Sequence, residues 1–172
     1  MALALTAPTG GAVLGTAATT ILRIHDPDPD FTPPQVTGLQ WHGTATAITS
    51  IVLSFSKPLQ ATSASNPADY QLVDLRTSGL ANPSGSLAVG FFPPVYNAAT
   101  DTVTLFPAQP LAAGHFYRIQ VDGMGVAPIL DLAGNALAGA SAGMTGTNYV
   151  ALIGEGKATA LHRFGLPATC GF

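Results

Sequence analysis

Three aspartates, Asp26, Asp28 and Asp30, alternate with prolines in HDPDPDFTPP, residues 25–34. Carboxylates at this spacing could offer oxygen ligands to a hard cation such as Ca2+, which takes about six to eight oxygens from converging loops. The same stretch carries Pro27, Pro29, Pro33 and Pro34, which withhold backbone donors and keep the chain extended. Two readings stand: a calcium site with Asp26, Asp28 and Asp30 as ligands, or a stiff joint between two modules. Ligand count favours the joint, because three carboxylates on a stiff extended segment cannot easily wrap one ion. His25 beside them adds little.

Other candidates weaken on inspection. Asp131 opens DLAGN, where an aspartate accepts backbone donors and Gly134-Asn135 permits positive φ, the chemistry of a turn. It could instead face calcium, but no second acid is near it in sequence. GASAG, residues 139–143, fits the G-x-S-x-G nucleophile pattern around Ser141. Glu155 and His162 follow it far too soon, and no alternating strand–helix pattern exists to build the required sheet. GEGKAT, residues 154–159, lacks the phosphate-loop glycine, because Ala151 occupies that position, and the Ser or Thr, because Ala158 does. His42, His115 and His162 have no ligand partner at metal spacing, so surface or edge-strand positions are expected. Trp41, Phe55, Phe91, Phe92, Phe116 and Tyr117 could form a sugar platform; at strand spacing they read as core. No catalytic or cofactor-binding residue is assigned, and the chain is not expected to be an enzyme.

Composition points the same way. Hydrophobic residues make up 47% of the 172 residues, enough for a core, while charged residues are only 9%, against roughly 25% in ordinary globular proteins. Glu155 is the only glutamate, and Thr, Ser, Ala and Gly fill the surface, a composition that leans all-β. The net charge of −3 and six scattered Lys and Arg give no basic patch, which argues against a nucleic-acid partner. Cys170 is the single cysteine, so no internal disulfide or paired-cysteine zinc site can form. No run approaches the ~18 apolar residues of a membrane span. The small, apolar start MALALTAPTGGAVLGTAATT has no positive residue before Arg23 and is broken by APTGGA, which argues against a signal peptide.

The elements that would position these residues are strands. Residues 2–24 read as strand, turn, strand around Pro8 and Gly10-Gly11. From Val36 the pattern is regular: VTGLQW, AITSIVLSFS, YQLVDL, SLAVGFFPPVY bent or broken at Pro93-Pro94, TVTLFP and HFYRIQVDG, then VAPILDLAGNAL with a turn and a seventh strand. Ile51, Leu53 and Phe55 share one face, as do Val103 with Leu105, and Tyr117 with Ile119 and Val121. Short strands at near-regular spacing predict an all-β, antiparallel Ig-like β-sandwich of about seven strands with an N-terminal hairpin.

The stretches ITSIVLSFSKPLQATSASNPADYQLV, YNAATDTVTLFPAQPLAAGHFYRIQV and LDLAGNAL resemble bacterial Ig-like domains of the S-layer-protein type over residues ~35–137. APTGGAVLG followed by ATTILRIHDPD, residues ~1–30, resembles the closing hairpin of a Calx-beta domain. The resemblances imply this organisation: 1–26 a partial Calx-beta-like hairpin, 27–34 a Pro/Asp-rich linker, 35–137 the sandwich, and 138–172 a flexible tail with a further strand at 148–153. They imply a fragment of a bacterial extracellular or cell-surface repeat protein. Its role would be a non-catalytic structural spacer, with adhesion as an added capacity. Its partners would be neighbouring β-domains and a cell-surface or matrix ligand. The alternative is a carbohydrate- or protein-binding accessory module of a secreted enzyme.

Overall fold

The computed structural model describes residues 2–4, 9–13, 15–16, 19–21, 29–44, 46–77, 85–139, 144–154 and 157–160. The chain divides into two units, Met1–Asp30 and Phe31–Phe172. In the first, β1 (Ala2–Ala4) pairs antiparallel with β2 (Thr19–Ile21), and Gly10 and Gly11 between them both take positive φ.

The second unit is built from β3 (Val36–Gly43), β4 (Ala47–Phe55), the one-turn helix α1 (Ala61–Ala64), β5 (Tyr70–Asp74), β6 (Leu87–Ala88), β7 (Val95–Asn97), β8 (Thr102–Leu105), β9 (Leu111–Ala112), β10 (Tyr117–Val121), β11 (Tyr149–Gly154) and β12 (Lys157–Ala160). One sheet has the order β3-β4-β8-β7, with β9 also on β4; the other has β12-β11-β10-β5-β6. The pairings between these strands are antiparallel. With β3, β4, β5, β7, β8, β10 and β11 taken as strands A to G, the sheets are ABED and CFG, the strand order of an immunoglobulin-like sandwich. Short β6 extends the second sheet beside C, and β12 extends it beyond G.

The register explains the core. In β4, Ile51 and Leu53 stand opposite Leu105 and Val103 of β8. In β10, Tyr117, Ile119 and Val121 stand opposite Ile153, Ala151 and Tyr149 on one side. On the other side, Ile119 and Val121 face Leu72 and Tyr70 of β5. These residues are buried, and the two rows meet as one cluster. Alternation puts a whole row on one face of a strand, so each β-branched or Leu residue in it loses its water contact together, worth roughly 1.5–3 kcal/mol per fully buried side chain. Two tyrosines anchor strand starts: Tyr117 Oη donates to Ala112 O at 3.1 Å, and Tyr70 Oη to Ala64 O at 2.7 Å. The first has the form of the tyrosine corner at the start of strand F.

Three local expectations are corrected. SLAVGFFPPVY is broken, not bent, and its halves are two strands in different sheets, β6 and β7, because Phe91 to Pro94 carry the chain from one sheet to the other. VAPILDLAGNAL makes isolated bridges instead of a strand: Leu130 pairs with Ala136 across the turn of Asp131, and Asp131 itself bridges to Leu59. The G position is filled by β11. Phe92 is 58% exposed and not core, its N–H bonding Phe106 O while Phe106 is itself 41% exposed.

The segment before β3 is bonded to the sandwich. Lys57 Nζ donates to Thr32 O, Ala138 N–H to Pro34 O and Ser56 N–H to Gln35 O, while Gln35 N–H donates to Ser56 Oγ. Pro33 and Pro34 are buried. After Leu137, Gly139 N–H bonds Thr147 O, and Thr147 N–H bonds Leu137 O.

Candidate functional site

Asp26 and Asp28 lie outside the described residues, as do His25, Ser141, Glu155, His162 and Cys170. Asp30 is exposed. Among the described residues no group of three or more His, Cys, Asp or Glu is placed to hold a metal ion. His42 is exposed, and Trp41 and Phe91 are half-buried against the core.

Asp131 is 1% exposed and fully engaged. Its Oδ1 accepts the N–H groups of Ala133 and Asn135 at 2.9 and 2.8 Å. Its Oδ2 takes Asn135 Nδ2 at 2.9 Å and Lys57 Nζ at 3.0 Å. Gly134, with φ +89, allows the chain to double back so that both amides reach one carboxylate. Burial by itself would raise the Asp131 pKa, but the hydrogen bonds from Asn135 and the Lys57 ammonium together lower it. Both oxygens are occupied by donors, so this aspartate closes a turn and has no face to offer a cation.

Asp69 presents the opposite case. It is 3% exposed; one oxygen accepts Asn66 Nδ2 at 3.2 Å, and Oδ2 is buried without a hydrogen-bond partner. Burial raises its pKa against the pull of Asn66, and the negative charge of Asp122 pushes the same way.

A polar cluster occurs at the far end of the sandwich, where β5 ends and β10 begins. Tyr70, Leu72 and Asp74 share the inward register of β5, so the third member of a core row is a carboxylate. Its side chain is 13% exposed. Asp74 Oδ2 stands 3.0 Å from His115 Nδ1 and 3.6 Å from Arg76 Nη1, and Oδ1 accepts the Arg76 N–H at 2.7 Å. Arg76 holds φ +57, a left-handed conformation uncommon outside glycine. The His115 ring stacks on Tyr117 with centroids 6.2 Å apart. The Arg76 side chain is 47% exposed and lines an open pocket of about 400 Å3 together with Leu87, Val89, Gln109 and Pro110. Asp74 and Arg76 went unrecognised in the sequence, and His115, expected at a surface or edge-strand position, is instead paired with Asp74. The available signal was the register: a charged residue where Tyr70 and Leu72 predict a third apolar one.

The group can orient and hold a polar ligand. It offers a guanidinium with unused N–H donors, an imidazole edge and a side-chain amide above an apolar wall.

No curated protein matches the chain. Among solved structures, it is similar to domains 1–6 of the surface layer protein SbsC, at 19% identity and a TM-score of 0.44, over 62% of this chain and 12% of that one. It is also similar to the N-terminal part of the bacterial S-layer protein SbsC, at 15% identity and a TM-score of 0.45, over 71% of this chain and 24% of that one. The chain thus spans about an eighth to a quarter of the length of these structures. The family model described as bacterial Ig-like domain matches residues 30–149. That match covers more than half of the chain and spans strands A to F of the sandwich, ending where strand G begins, so the chain belongs to the bacterial Ig-like domain family.

Proposed function

We propose that residues 31–154 form a non-catalytic structural spacer within a larger bacterial protein at the cell surface or outside the cell, joined to neighbouring β-domains of the same polypeptide. The observation that carries this reading is the clamp on the incoming chain. Thr32, Pro34 and Gln35 are bonded from two separate parts of the sandwich: the adjacent Ser56 and Lys57 just after β4, and Ala138. Directly after them, β3 zips to β4 along its whole length. A load applied through the incoming chain would have to shear these bonds together before reaching the core, which is what a spacer under tension needs. Family membership supports the reading.

Within the same proposal, residues 1–30 are the closing hairpin of a preceding Calx-beta-like domain. The antiparallel pairing of β1 with β2, and their separation from the sandwich as a distinct unit, support this.

The test is single-molecule stretching of the chain between handles at its ends. Expected is one cooperative force peak releasing about 40 nm, from roughly 3.3–3.6 Å per extended residue. Asp131→Ala should lower the peak by loosening Lys57. Smooth extension with no peak would remove the load-bearing role.

A further inference from the structure

We infer that the cavity at the end of β5 and the start of β10 binds a saccharide bearing a carboxylate, with Arg76 as the carboxylate-holding residue. This goes beyond the spacer role and does not depend on it.

The geometry is that of a prepared donor. Asp74 is the hub: its two oxygens hold the Arg76 N–H, the Arg76 guanidinium and the His115 ring nitrogen. These contacts leave Asp74 with little capacity to bind anything else. They fix the two residues that can. The Arg76–Asp74 contact of 3.6 Å is loose and engages one guanidinium nitrogen, so the planar fork remains open for a bidentate carboxylate. His115 Nδ1 faces Asp74, which turns Nε2 away from that carboxylate and makes it a second contact for a hydroxyl or carboxylate oxygen.

The backbone supports the assignment. Arg76 adopts φ +57, where glycine would be relaxed and arginine is strained. The strain is held by the Asp74 carboxylate on the Arg76 N–H and by Phe116 N–H on Arg76 O at 2.9 Å. A left-handed backbone fixed from both sides sets the direction in which the Arg76 side chain leaves the chain.

The walls select the rest of the ligand. Leu87 is 53% exposed beside Pro110, a small apolar surface suited to the C–H face of a sugar ring, and Gln109 supplies an amide for ring hydroxyls. The volume of about 400 Å3 lies in the range of small-molecule sites, roughly 300–1,000 Å3. An apolar wall with a guanidinium at its edge matches a uronic acid, which has a ring face and a carboxylate on one unit.

The experiment is an amide-resolved NMR titration of the full chain with trigalacturonate, and with its methyl ester, which keeps the rings and removes the charge. Expected are shifts at Arg76, Gln109 and His115 with the acid, and at least tenfold weaker binding of the ester. Arg76→Gly should melt at or above the parent temperature, because glycine relaxes the backbone, yet bind at least tenfold more weakly. Arg118→Gln, on the outward face of β10, should bind as the parent does. Equal binding of acid and ester, shifts confined to other residues, no shifts at millimolar ligand, or unchanged affinity in Arg76→Gly would each overturn the assignment.

Discussion

Lys57 Nζ lies 3.0 Å from Asp131 Oδ2 and 2.8 Å from Thr32 O, so one ammonium joins the β4–α1 loop, the DLAGN turn and the segment entering β3. Removing one partner of a buried ion pair costs roughly 3–5 kcal/mol, because the other is left uncompensated. Lys57 keeps 20% exposure and a second acceptor, which places Asp131→Ala near the lower end, about 3 kcal/mol. Lys57→Met should cost less, about 1–2 kcal/mol, since Asp131 retains three nitrogen donors and the methylene packing survives. Urea unfolding of both variants checks the order; a larger loss in Lys57→Met would place the organising role on the lysine.

Asp131 and Asp69 should give stability opposite dependences on pH. The Asp131 pKa is lowered below 3.8 on folding, so its contribution is present above pH 3.8 and is lost as pH falls through the lowered value. The Asp69 pKa is raised above 3.8, so its contribution is full below pH 3.8 and is lost as pH rises through the raised value. At pH 7 Asp69 is therefore a burden, with one buried oxygen unpartnered. Asp69→Asn should raise stability at neutral pH by about 1 kcal/mol, a few degrees in Tm, and this gain should vanish at pH below 3.8. Thermal melts of parent and variant across pH decide it; an equal offset at all pH values would show that the charge is not the cause.

Calcium and chelator should leave the Tm of the sandwich unchanged. Asp131 spends both oxygens on amide and ammonium donors, so a cation would have to displace Lys57 and break the turn that holds the carboxylate in place. A rise in Tm with added calcium that persists in Asp131→Ala would locate a cation site elsewhere in the chain.

Much of this sandwich could be read from period-2 alternation. Ile51, Leu53 and Phe55, Val103 and Leu105, and Tyr117, Ile119 and Val121 all face inward as their spacing requires, because a strand in a two-layer fold has one dry face. What could not be read were features set by non-local partners. A further strand at 148–153 could be read, but not that it completes the second sheet: β11 follows a long connection in which Ile129 and Leu137 are buried without belonging to any strand. Alternation has no means of signalling that. The polar cluster was hidden for a related reason: Asp74 and His115 are 41 positions apart, and only the β5–β10 register brings them within 3.0 Å. Phe92 misled because aromatic content was taken for burial, whereas its position at a change of sheet leaves the ring outside.

Tyr96 carries a test of how β7 is tied to the loop that follows β4. Its Oη accepts the N–H of buried Leu59 at 2.8 Å and stands 3.3 Å from Asp101 Oδ1, so a β7 side chain supplies the partner of a loop amide 37 residues away. Tyr96→Phe keeps the ring and strips that acceptor, leaving Leu59 N–H unpaired at a cost of about 1–3 kcal/mol. Hydrogen exchange at Leu59 should accelerate more than at Leu53, whose pairing within the sheet is intact. Equal acceleration at both would mean only global destabilisation.

The chain after β10 can be tested at Gly139, with Gly90 between β6 and β7 as the control. A Cβ at Gly139 would meet the backbone of Asn148 and Tyr149, where neither atom group can move without breaking the start of β11. A Cβ at Gly90 would meet nothing within 4 Å. Overpacking against side chains costs roughly 1–3 kcal/mol, and against backbone the upper end is the expectation, so Gly139→Ala should lose about 3 kcal/mol. Gly90→Ala should change stability by less than about 0.5 kcal/mol. If β11 is the true G strand, the Gly139 variant should also expose the amides of Tyr117 to Val121, which pair with Tyr149 to Ile153 on one side and β5 on the other. A Gly139→Ala protein as stable as Gly90→Ala would mean that Gly139 does not pack against Asn148 and Tyr149 in this way, and the second sheet would then end at β10.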